Sequence, residues 1–347
     1  MRHFPAVLAL AALSVACAGA LARGSAAAVG SVALTAQSAP RSSPPHGAGP
    51  AVPRPDDAPG GWAAVVFRLL IILTMAGLLA LAVILFFEDH FVFRPSRGPR
   101  GSWDPPAGAE SCTFRTRDGL GLHGWWHPGE GAGDPSQRPV LLYCHGRSGN
   151  VTHRAEMLGR LAARGFGVFL FDYRGYGKSE GTPGEHGLCL DAEAAHRHLV
   201  EERHVSPRRI VCFGRSLGCT PALHVALVRR TAGLVMDGAF ENVSAVVQHR
   251  LHGLPLALFV RNRFDNLERV RRLKVPLLVM HGSKDDMVPL GQAEAVFNAA
   301  PKPKEFCLIE GGGHGEASDP ASEAYYEALR RFCDRCAGRE PAATVSC

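Results

Sequence analysis

Hydrophobic and polar residues follow a repeating order from about residue 108 onward. Short runs rich in β-branched and aromatic residues, which predict strands, lie at Ser111–Arg117, Leu120–Trp126, Val140–His145, Val168–Asp172, Ile210–Gly214, Gly233–Asp237, Val275–His281 and Glu305–Glu310. Segments with apolar residues at helical spacing lie at Thr152–Arg164, His186–Arg203, Leu217–Arg229, Leu290–Ala299 and Ala321–Cys336. Strands that alternate with helices predict an α/β fold, in which helices cover both faces of a mostly parallel central sheet.

A long apolar run precedes this region. From Leu69 to Phe87 all 19 residues are uncharged and nearly all are apolar, and a run of this length spans the hydrocarbon core of a bilayer. A buried core helix is the alternative, but it would be unusually long. The sequence therefore predicts a transmembrane helix over residues 63–87 and a membrane localisation through a single-pass anchor. Arginines on both sides of the run leave its orientation open, with a weak preference for a cytoplasmic C-terminal region.

The first 61 residues do not predict a packed domain. Residues 1–23 combine Arg2 with an apolar stretch and small residues, which predicts a signal peptide. An Ala-rich tail is the alternative. Residues 24–61 are rich in Ala, Ser, Gly and Pro, with seven prolines between Pro40 and Pro59, and predict a disordered linker.

Composition narrows the class of protein. Hydrophobic residues make up 46% of the 347 residues, which suffices for a large core, and the net charge of +6 comes from 38 basic and 32 acidic residues without a dense basic run. This pattern disfavours a nucleic-acid partner. The ten cysteines suggest no disulfide framework, because Cys144 and Cys212 fall in predicted buried strands. The pair Cys333 and Cys336 is predicted at a solvent-facing helix end.

The most specific chemical motif is Gly214–Gly218, with the sequence Gly-Arg-Ser-Leu-Gly, between a predicted strand and a predicted helix. A sharp strand-to-helix turn exposes a serine and crowds the flanking positions, where glycine avoids a collision. A serine hydroxyl needs a base to take its proton and a third group to orient that base. The motif therefore predicts Ser216 as a nucleophile.

The base is expected downstream of this serine. His314 lies in a glycine-rich turn, residues 311–315, directly after the last predicted strand. His249 and His252 are the nearest rivals after the serine, but neither follows a strand. We therefore predict His314 as the general base.

Three aspartates compete to orient that base. Asp285 and Asp286 follow the predicted strand Val275–His281, and Asp237 ends an earlier strand. Loops beyond the carboxyl ends of strands carry active-site groups in open α/β sheets. All three positions satisfy this rule, so the sequence positions alone do not identify which aspartate orients His314.

Attack on a carbonyl also requires backbone donors for the negative oxygen that develops. The amide of Leu217, directly after the nucleophile, is the first candidate. The second is the amide of Arg147, in the loop His145–Asn150 that follows a predicted strand. Because a serine mechanism supplies its own nucleophile and donors, the sequence predicts no metal and no organic cofactor.

In their order along the chain, these motifs resemble the α/β-hydrolase family, and within it the membrane-tethered BEM46-like group. The resemblance covers about residues 110–335. It rests on His145–Asn150, Asp172–Ser179, Gly214–Gly218, His281–Pro289 and His314. It implies Ser216 as nucleophile, Asp285 as the acid and His314 as base. The chain departs from the group at Arg147, where Asn is common, and at Cys219, where glycine often follows the motif.

The resemblance implies an α/β-hydrolase domain over residues 108–338 that cleaves carboxylic esters, including lipid esters or thioesters, through an acyl-enzyme. The stretch between Phe240 and Arg272 leaves room only for a small cap, whose apolar residues suit an acyl-ester or lipid-like substrate. Arg147 predicts a preference for anionic or phosphate-bearing substrates. The alternatives are a serine peptidase or amidase on the same residues, and a catalytically silent membrane-tethered interaction protein.

Overall fold

The computed structural model describes residues 61–131, 134–250, 260–314 and 323–338, and from Val66 onward these residues belong to one compact unit. The predicted signal peptide, residues 1–23, lies outside the described residues, as does the predicted linker up to residue 60. Residues 251–259, which are part of the predicted cap, also lie outside them.

Strands and helices alternate along the described chain as predicted. The strands are β1 (Arg94–Pro95), β2 (Glu110–Arg115), β3 (Gly121–His127), β4 (Val140–Cys144), β5 (Ser148–Gly149), β6 (Gly167–Phe171), β7 (Ile210–Arg215), β8 (Gly233–Asp237), β9 (Leu277–Gly282) and β10 (Lys304–Ile309). The α-helices are α1 (Gly61–Val92), α2 (Ala155–Ala163), α3 (Glu185–Glu201), α4 (Cys219–Val228), α5 (Val243–Arg250), α6 (Asn266–Val270), α7 (Leu290–Ala299) and α8 (Glu323–Cys336).

The central sheet has eight strands in the order β10-β9-β8-β7-β4-β6-β3-β2. The six strands from β10 to β6 are parallel, whereas β3 pairs antiparallel with both β6 and β2. Every residue of β4, β6, β7 and β8 is buried, because helices cover both faces of a parallel sheet and leave no solvent-facing side. The predicted mostly parallel sheet is confirmed.

Two layers of helices enclose the sheet. Helices α3, α4 and α7 contribute to the core on one face, through residues such as Leu199, Leu223 and Val296. Helices α2 and α8 cover the other face, where Leu158 and Phe332 are buried. Each of these helices packs its apolar face against the sheet. This packing is the physical basis of the predicted architecture.

The prediction for the C-terminal cysteine pair is wrong at one of its two positions. Cys333 is fully buried on the apolar face of α8, together with Tyr325 and Leu329. Burial raises the pKa of its thiol well above the usual value, so this cysteine behaves as a small apolar residue. Cys333 lies about one helical turn after Leu329, on the same face of the helix, and this spacing indicates a core position.

Helix α1 contains an apolar window, Trp62–Val83, of 22 residues. Within the described part of the chain it is the one helix that is long and apolar enough to cross a membrane. Most of its apolar side chains whose burial is described are exposed, with Leu73 and Leu79 each 67% exposed. An exposed apolar surface of this extent is compatible with the predicted membrane anchor.

Parallel strands bring their carboxyl ends to one edge of the sheet. The segments that follow β4, β7, β9 and β10 therefore emerge side by side, since these strands are parallel members of one sheet. Each of the residues predicted to act in chemistry lies in one of these four segments.

Candidate active site

Ser216 occupies a sharp turn between β7 and α4. The strand ends at Arg215, and a single 3₁₀ turn, Ser216–Gly218, leads into the helix. Ser216 has a φ of 51°, a left-handed conformation that costs about 1–3 kcal/mol for a residue other than glycine. The surrounding structure holds the serine in this strained conformation, as the predicted turn requires.

The two flanking glycines are required by close backbone contacts. A Cβ atom on Gly214 would lie 2.5 Å from the Cα of Cys219. A Cβ atom on Gly218 would overlap the carbonyl oxygen of Cys144, at the end of the neighbouring strand β4. The turn can therefore approach both the helix and the adjacent strand only because these positions lack side chains.

Replacement of Gly218 by alanine is expected to destabilise the protein by about 3 kcal/mol or more, because the methyl group would displace the backbone of β4. The control is Gly159→Ala in α2, where a Cβ atom would meet nothing within 4 Å. That substitution is expected to stabilise the protein by about 0.5–1 kcal/mol through helix propensity. Denaturant unfolding of both variants measures the difference, and equal stabilities would contradict the packing argument.

The structure brings Ser216 and His314 together. The Oγ atom of Ser216 lies 3.0 Å from Nε2 of His314, and both side chains are partly exposed. On the other side of the ring, Nδ1 of His314 lies 2.7 Å from Oδ2 of Asp285. Because a carboxylate only accepts hydrogen bonds, Nδ1 carries the proton and Nε2 presents its lone pair to the serine.

Asp285 is held as a carboxylate by its surroundings. Its side chain is 2% exposed, and its Oδ1 atom accepts hydrogen bonds from the amides of Met287 at 2.9 Å and Val288 at 2.8 Å. Burial raises the pKa of Asp285, but the hydrogen bonds from His314 and from these amides outweigh burial, and the pKa is below its usual value. The residue is therefore ionised at neutral pH.

Neighbouring loops bring Asp285, the predicted acid, and His314, the predicted base, together. Strands β9 and β10 are adjacent and parallel, and the loops beyond them are joined by a hydrogen bond from the amide of Lys284 to the carbonyl of Gly312 at 2.8 Å. A second bond joins the amide of Gly311 to Oγ of Ser283 at 2.8 Å. These two hydrogen bonds between the loops fix the distance between Asp285 and His314.

The two rival aspartates have other surroundings. Asp286 is exposed. Asp237 is buried and accepts hydrogen bonds from Nη1 of Arg215 at 2.7 Å and from the hydroxyl of Tyr325 at 3.1 Å. Of the three aspartates, Asp285 is the one with a hydrogen bond to the ring of His314.

Arg215 is a site residue that sequence reasoning missed. Its guanidinium is buried, pairs with Asp237, and also donates a hydrogen bond from Nη2 to the backbone carbonyl of His314. The serine motif accepts any residue at this position, so the motif does not predict a role for Arg215. A charged residue at the end of an otherwise apolar strand was the available signal, because a buried guanidinium requires partners.

The two predicted backbone donors lie in the segments that follow β7 and β4. The amide of Leu217 belongs to the first turn that follows β7, where helical amides lack partners within the helix. In the loop after β4, the carbonyl of Gly146 lies 2.7 Å from Nδ1 of His145. The N–H and C=O groups of a trans peptide point in opposite directions, so the amide of Arg147 faces away from that histidine.

Two further charges of the sequence motifs support loops. Asp172 is fully buried and accepts a hydrogen bond from the amide of Val151 at 2.8 Å. Arg174 pairs with Asp191 and Asp118, each at 2.8 Å. Within the described residues, no group of three or more His, Cys, Asp or Glu side chains is arranged to hold a metal ion.

Comparison with known families gives two matches. Residues 139–266 match the family described by the alpha/beta hydrolase fold, and residues 248–340 match the prolyl oligopeptidase family. An uncharacterized protein of Mycobacterium tuberculosis is 35% identical over 270 residues, which cover 76% of this chain and 95% of the relative. The protein bem46 of Schizosaccharomyces pombe is 28% identical over 281 residues, which cover 73% of this chain and 93% of the relative.

Solved structures show the same fold. An esterase of Pyrococcus furiosus superposes with a TM-score of 0.57 at 22% identity, over 70% of this chain and 97% of that chain. An alpha/beta hydrolase of Penicillium superposes with a TM-score of 0.55 at 19% identity, over 66% of this chain and 99% of that chain. At these identities the similarity shows the architecture.

Proposed function

The chain belongs to the BEM46-like α/β hydrolases, and from this premise we propose that it is a serine hydrolase that cleaves carboxylic esters through an acyl-enzyme. The observation that carries the proposal is the continuous series of hydrogen bonds from Ser216 to His314 at 3.0 Å and from His314 to Asp285 at 2.7 Å. A serine with an oriented base is the minimum set for nucleophilic acyl transfer.

In the first half of the proposed reaction, Oγ of Ser216 attacks the ester carbonyl carbon while its proton moves to Nε2 of His314. The carbonyl electrons move onto the oxygen, which the amides of Leu217 and Arg147 stabilise. Collapse of this intermediate breaks the bond to the alcohol oxygen, and His314 returns the proton to the leaving alcohol. Asp285 stabilises the transient imidazolium through its ionised carboxylate.

In the second half, water attacks the acyl-enzyme. His314 takes a proton from the water, and the hydroxyl adds to the carbonyl carbon. The bond to Ser216 then breaks, the serine recovers its proton from His314, and the carboxylic acid leaves. The cycle consumes one water and needs no group beyond the side chains and amides named above.

The proposed substrate is an acyl ester with lipid-like character, taken up at a membrane. The exposed apolar surface of α1 supports the membrane anchor. The predicted role of Arg147 in binding anionic or phosphate-bearing substrates stays a prediction, and its guanidinium donates a hydrogen bond to the carbonyl of Phe91 at 2.9 Å. This bond uses one nitrogen of the Arg147 guanidinium, which has five N–H donors in all.

An amide-cleaving enzyme is the second candidate function. The match of residues 248–340 to the prolyl oligopeptidase family favours it, because the same nucleophile and base can attack a peptide bond. An amide has a poorer leaving group than an ester, so a peptidase requires a site shaped around the peptide, whereas an esterase tolerates small activated substrates.

A substrate panel distinguishes these functions. The purified full-length chain in detergent is assayed against esters of several acyl lengths, acyl-thioesters and peptide anilides, with neutral and anionic forms of each ester. We expect ester turnover to exceed anilide turnover by at least about 100-fold, which corresponds to a difference of at least about 2.7 kcal/mol in activation free energy. Faster cleavage of peptide anilides would establish the peptidase instead. Equal rates on neutral and anionic esters would remove the proposed substrate role of Arg147.

A further inference from the structure

The end of helix α1 is bound to the globular domain through Glu88. Its carboxylate is 8% exposed. It accepts hydrogen bonds from the amide and Nε of Arg261, at 3.0 and 2.8 Å, and from the amide and Nδ2 of Asn262, at 2.8 and 3.1 Å. All four hydrogen bonds come from one short segment that follows the cap region, three to Oε1 and one to Oε2 of Glu88.

Two buried phenylalanines strengthen this attachment. Phe93, just beyond α1, packs edge-on against Phe264 with ring centroids 5.9 Å apart, and both rings are buried. Phe264 has a φ of 48°, which is a genuine outlier for a bulky residue. Such strain persists only where the surrounding structure enforces it. The segment after the cap is therefore shaped to receive the end of α1.

The chain after α1 then pairs with the loop that carries the second predicted backbone donor. Strand β1 runs parallel to β5, and the amide of Arg94 donates to the carbonyl of Arg147 at 2.9 Å. The guanidinium of Arg147 in turn binds the carbonyl of Phe91. The hydroxyl of Tyr176 donates a further hydrogen bond to the carbonyl of Arg147 at 2.8 Å.

We propose that residues 88–95, which we name the stem, position the loop 145–150 for turnover, so that the end of the membrane helix is a positioning element of the active site. This proposal rests on the proposed serine-hydrolase function, in which the amide of Arg147 stabilises the negative oxygen. Stabilisation of that oxygen depends on the placement of the donor to within a few tenths of an ångström. The stem thereby links the attachment of the membrane helix to the geometry of the site.

A matched pair of substitutions at one position tests the stem. Arg94→Pro removes the amide donor to Arg147, whereas Arg94→Ala removes only an exposed side chain and keeps the amide. We expect Arg94→Pro to lower kcat on a soluble ester about five- to tenfold, as the loss of one hydrogen bond predicts, with KM unchanged. Arg94→Ala should retain wild-type kcat. Affinity for a trifluoromethyl ketone, which forms a tetrahedral adduct with serine, should fall in parallel with kcat/KM.

Hydrogen–deuterium exchange of the full-length chain provides a readout that does not depend on turnover. Amide exchange in residues 145–150 should rise in Arg94→Pro and stay at the wild-type level in Arg94→Ala. A folded Arg94→Pro variant with wild-type kcat would overturn the proposal, and so would faster exchange without any loss of kcat.

A second variant covers the case in which Arg94→Pro does not fold. Glu88→Gln keeps the size of the side chain and places an amide group among donors, so it should loosen the stem and lower kcat in the same assays. Wild-type kcat in Glu88→Gln would then overturn the proposal. If the wild-type chain cleaves no ester, the proposed function fails, and the exchange data still decide whether the stem orders the loop.

Discussion

Replacement of Ser216 by alanine is expected to lower kcat for ester hydrolysis by a factor on the order of 10⁶, which is the loss typical when the nucleophile of a serine hydrolase is removed. The physical reason is that Oγ of Ser216, 3.0 Å from Nε2 of His314, is the atom that would attack the substrate, and alanine lacks it. The variant should fold, because alanine has no side-chain group that conflicts with the turn. Initial rates on the best ester of the panel measure the effect.

Covalent labelling separates the nucleophile from a merely structural serine. A fluorophosphonate forms a bond between phosphorus and Oγ of an activated serine and releases fluoride, so the wild type should label at Ser216 and the alanine variant should not. Ser206→Ala is the control, because Ser206 is exposed and its side chain makes no capping bond. Full ester turnover in Ser216→Ala would refute the proposed mechanism. Absence of labelling in the wild type would instead favour the catalytically silent interaction protein.

Replacement of Asp285 by asparagine is expected to lower kcat about 10⁴-fold at neutral pH. The amide group of asparagine can donate to Nδ1 of His314, which moves the ring proton to Nε2, where it blocks removal of the serine proton. The geometry of the site would be largely retained, so KM should change little. Steady-state kinetics of Asp285→Asn beside Asp286→Asn measure the effect, and the exposed Asp286 is the matched control on the same loop.

The two remaining aspartates should respond differently. Asp286→Asn is expected to retain wild-type kcat. Asp237→Asn replaces the carboxylate that pairs with the buried guanidinium of Arg215 by a neutral amide, and we expect it to lower the free energy of unfolding by about 3 kcal/mol with a far smaller loss of kcat. A 10⁴-fold loss of kcat in Asp286→Asn or Asp237→Asn, with Asp285→Asn active, would falsify the assignment of the acid.

Much of the fold could be predicted from the sequence because the periodicity of apolar residues is a local property. The runs at β4, β7 and β8 are continuous and apolar, as strands buried on both faces must be. The Gly214–Gly218 motif could also be recognised from the sequence. A sharp strand-to-helix turn leaves no space for a side chain at Gly214 or Gly218, and both positions lie within one short segment. Element ends differed slightly from prediction, as at β2, which begins at Glu110.

The choice among the aspartates required the structure. Asp237 ends a strand, and Asp285 and Asp286 follow another; both strands belong to the parallel part of one sheet, so the three positions are equivalent by local criteria. Side-chain direction separates them, since Asp285 points to His314 while Asp237 points to Arg215. Direction depends on the turn of each loop and on contacts with residues far away in sequence.

Local sequence patterns suffice to predict the alternation of strands and helices, the apolar helix before them, and the serine at its turn, because each depends on spacing within a short segment. Only tertiary packing brings together Asp285 with His314, Arg215 with Asp237, and Glu88 with the segment that follows the cap region. Those contacts join residues from 22 to 174 positions apart. No local pattern records such a contact, since both partners must first be brought together by packing of the sheet and helices.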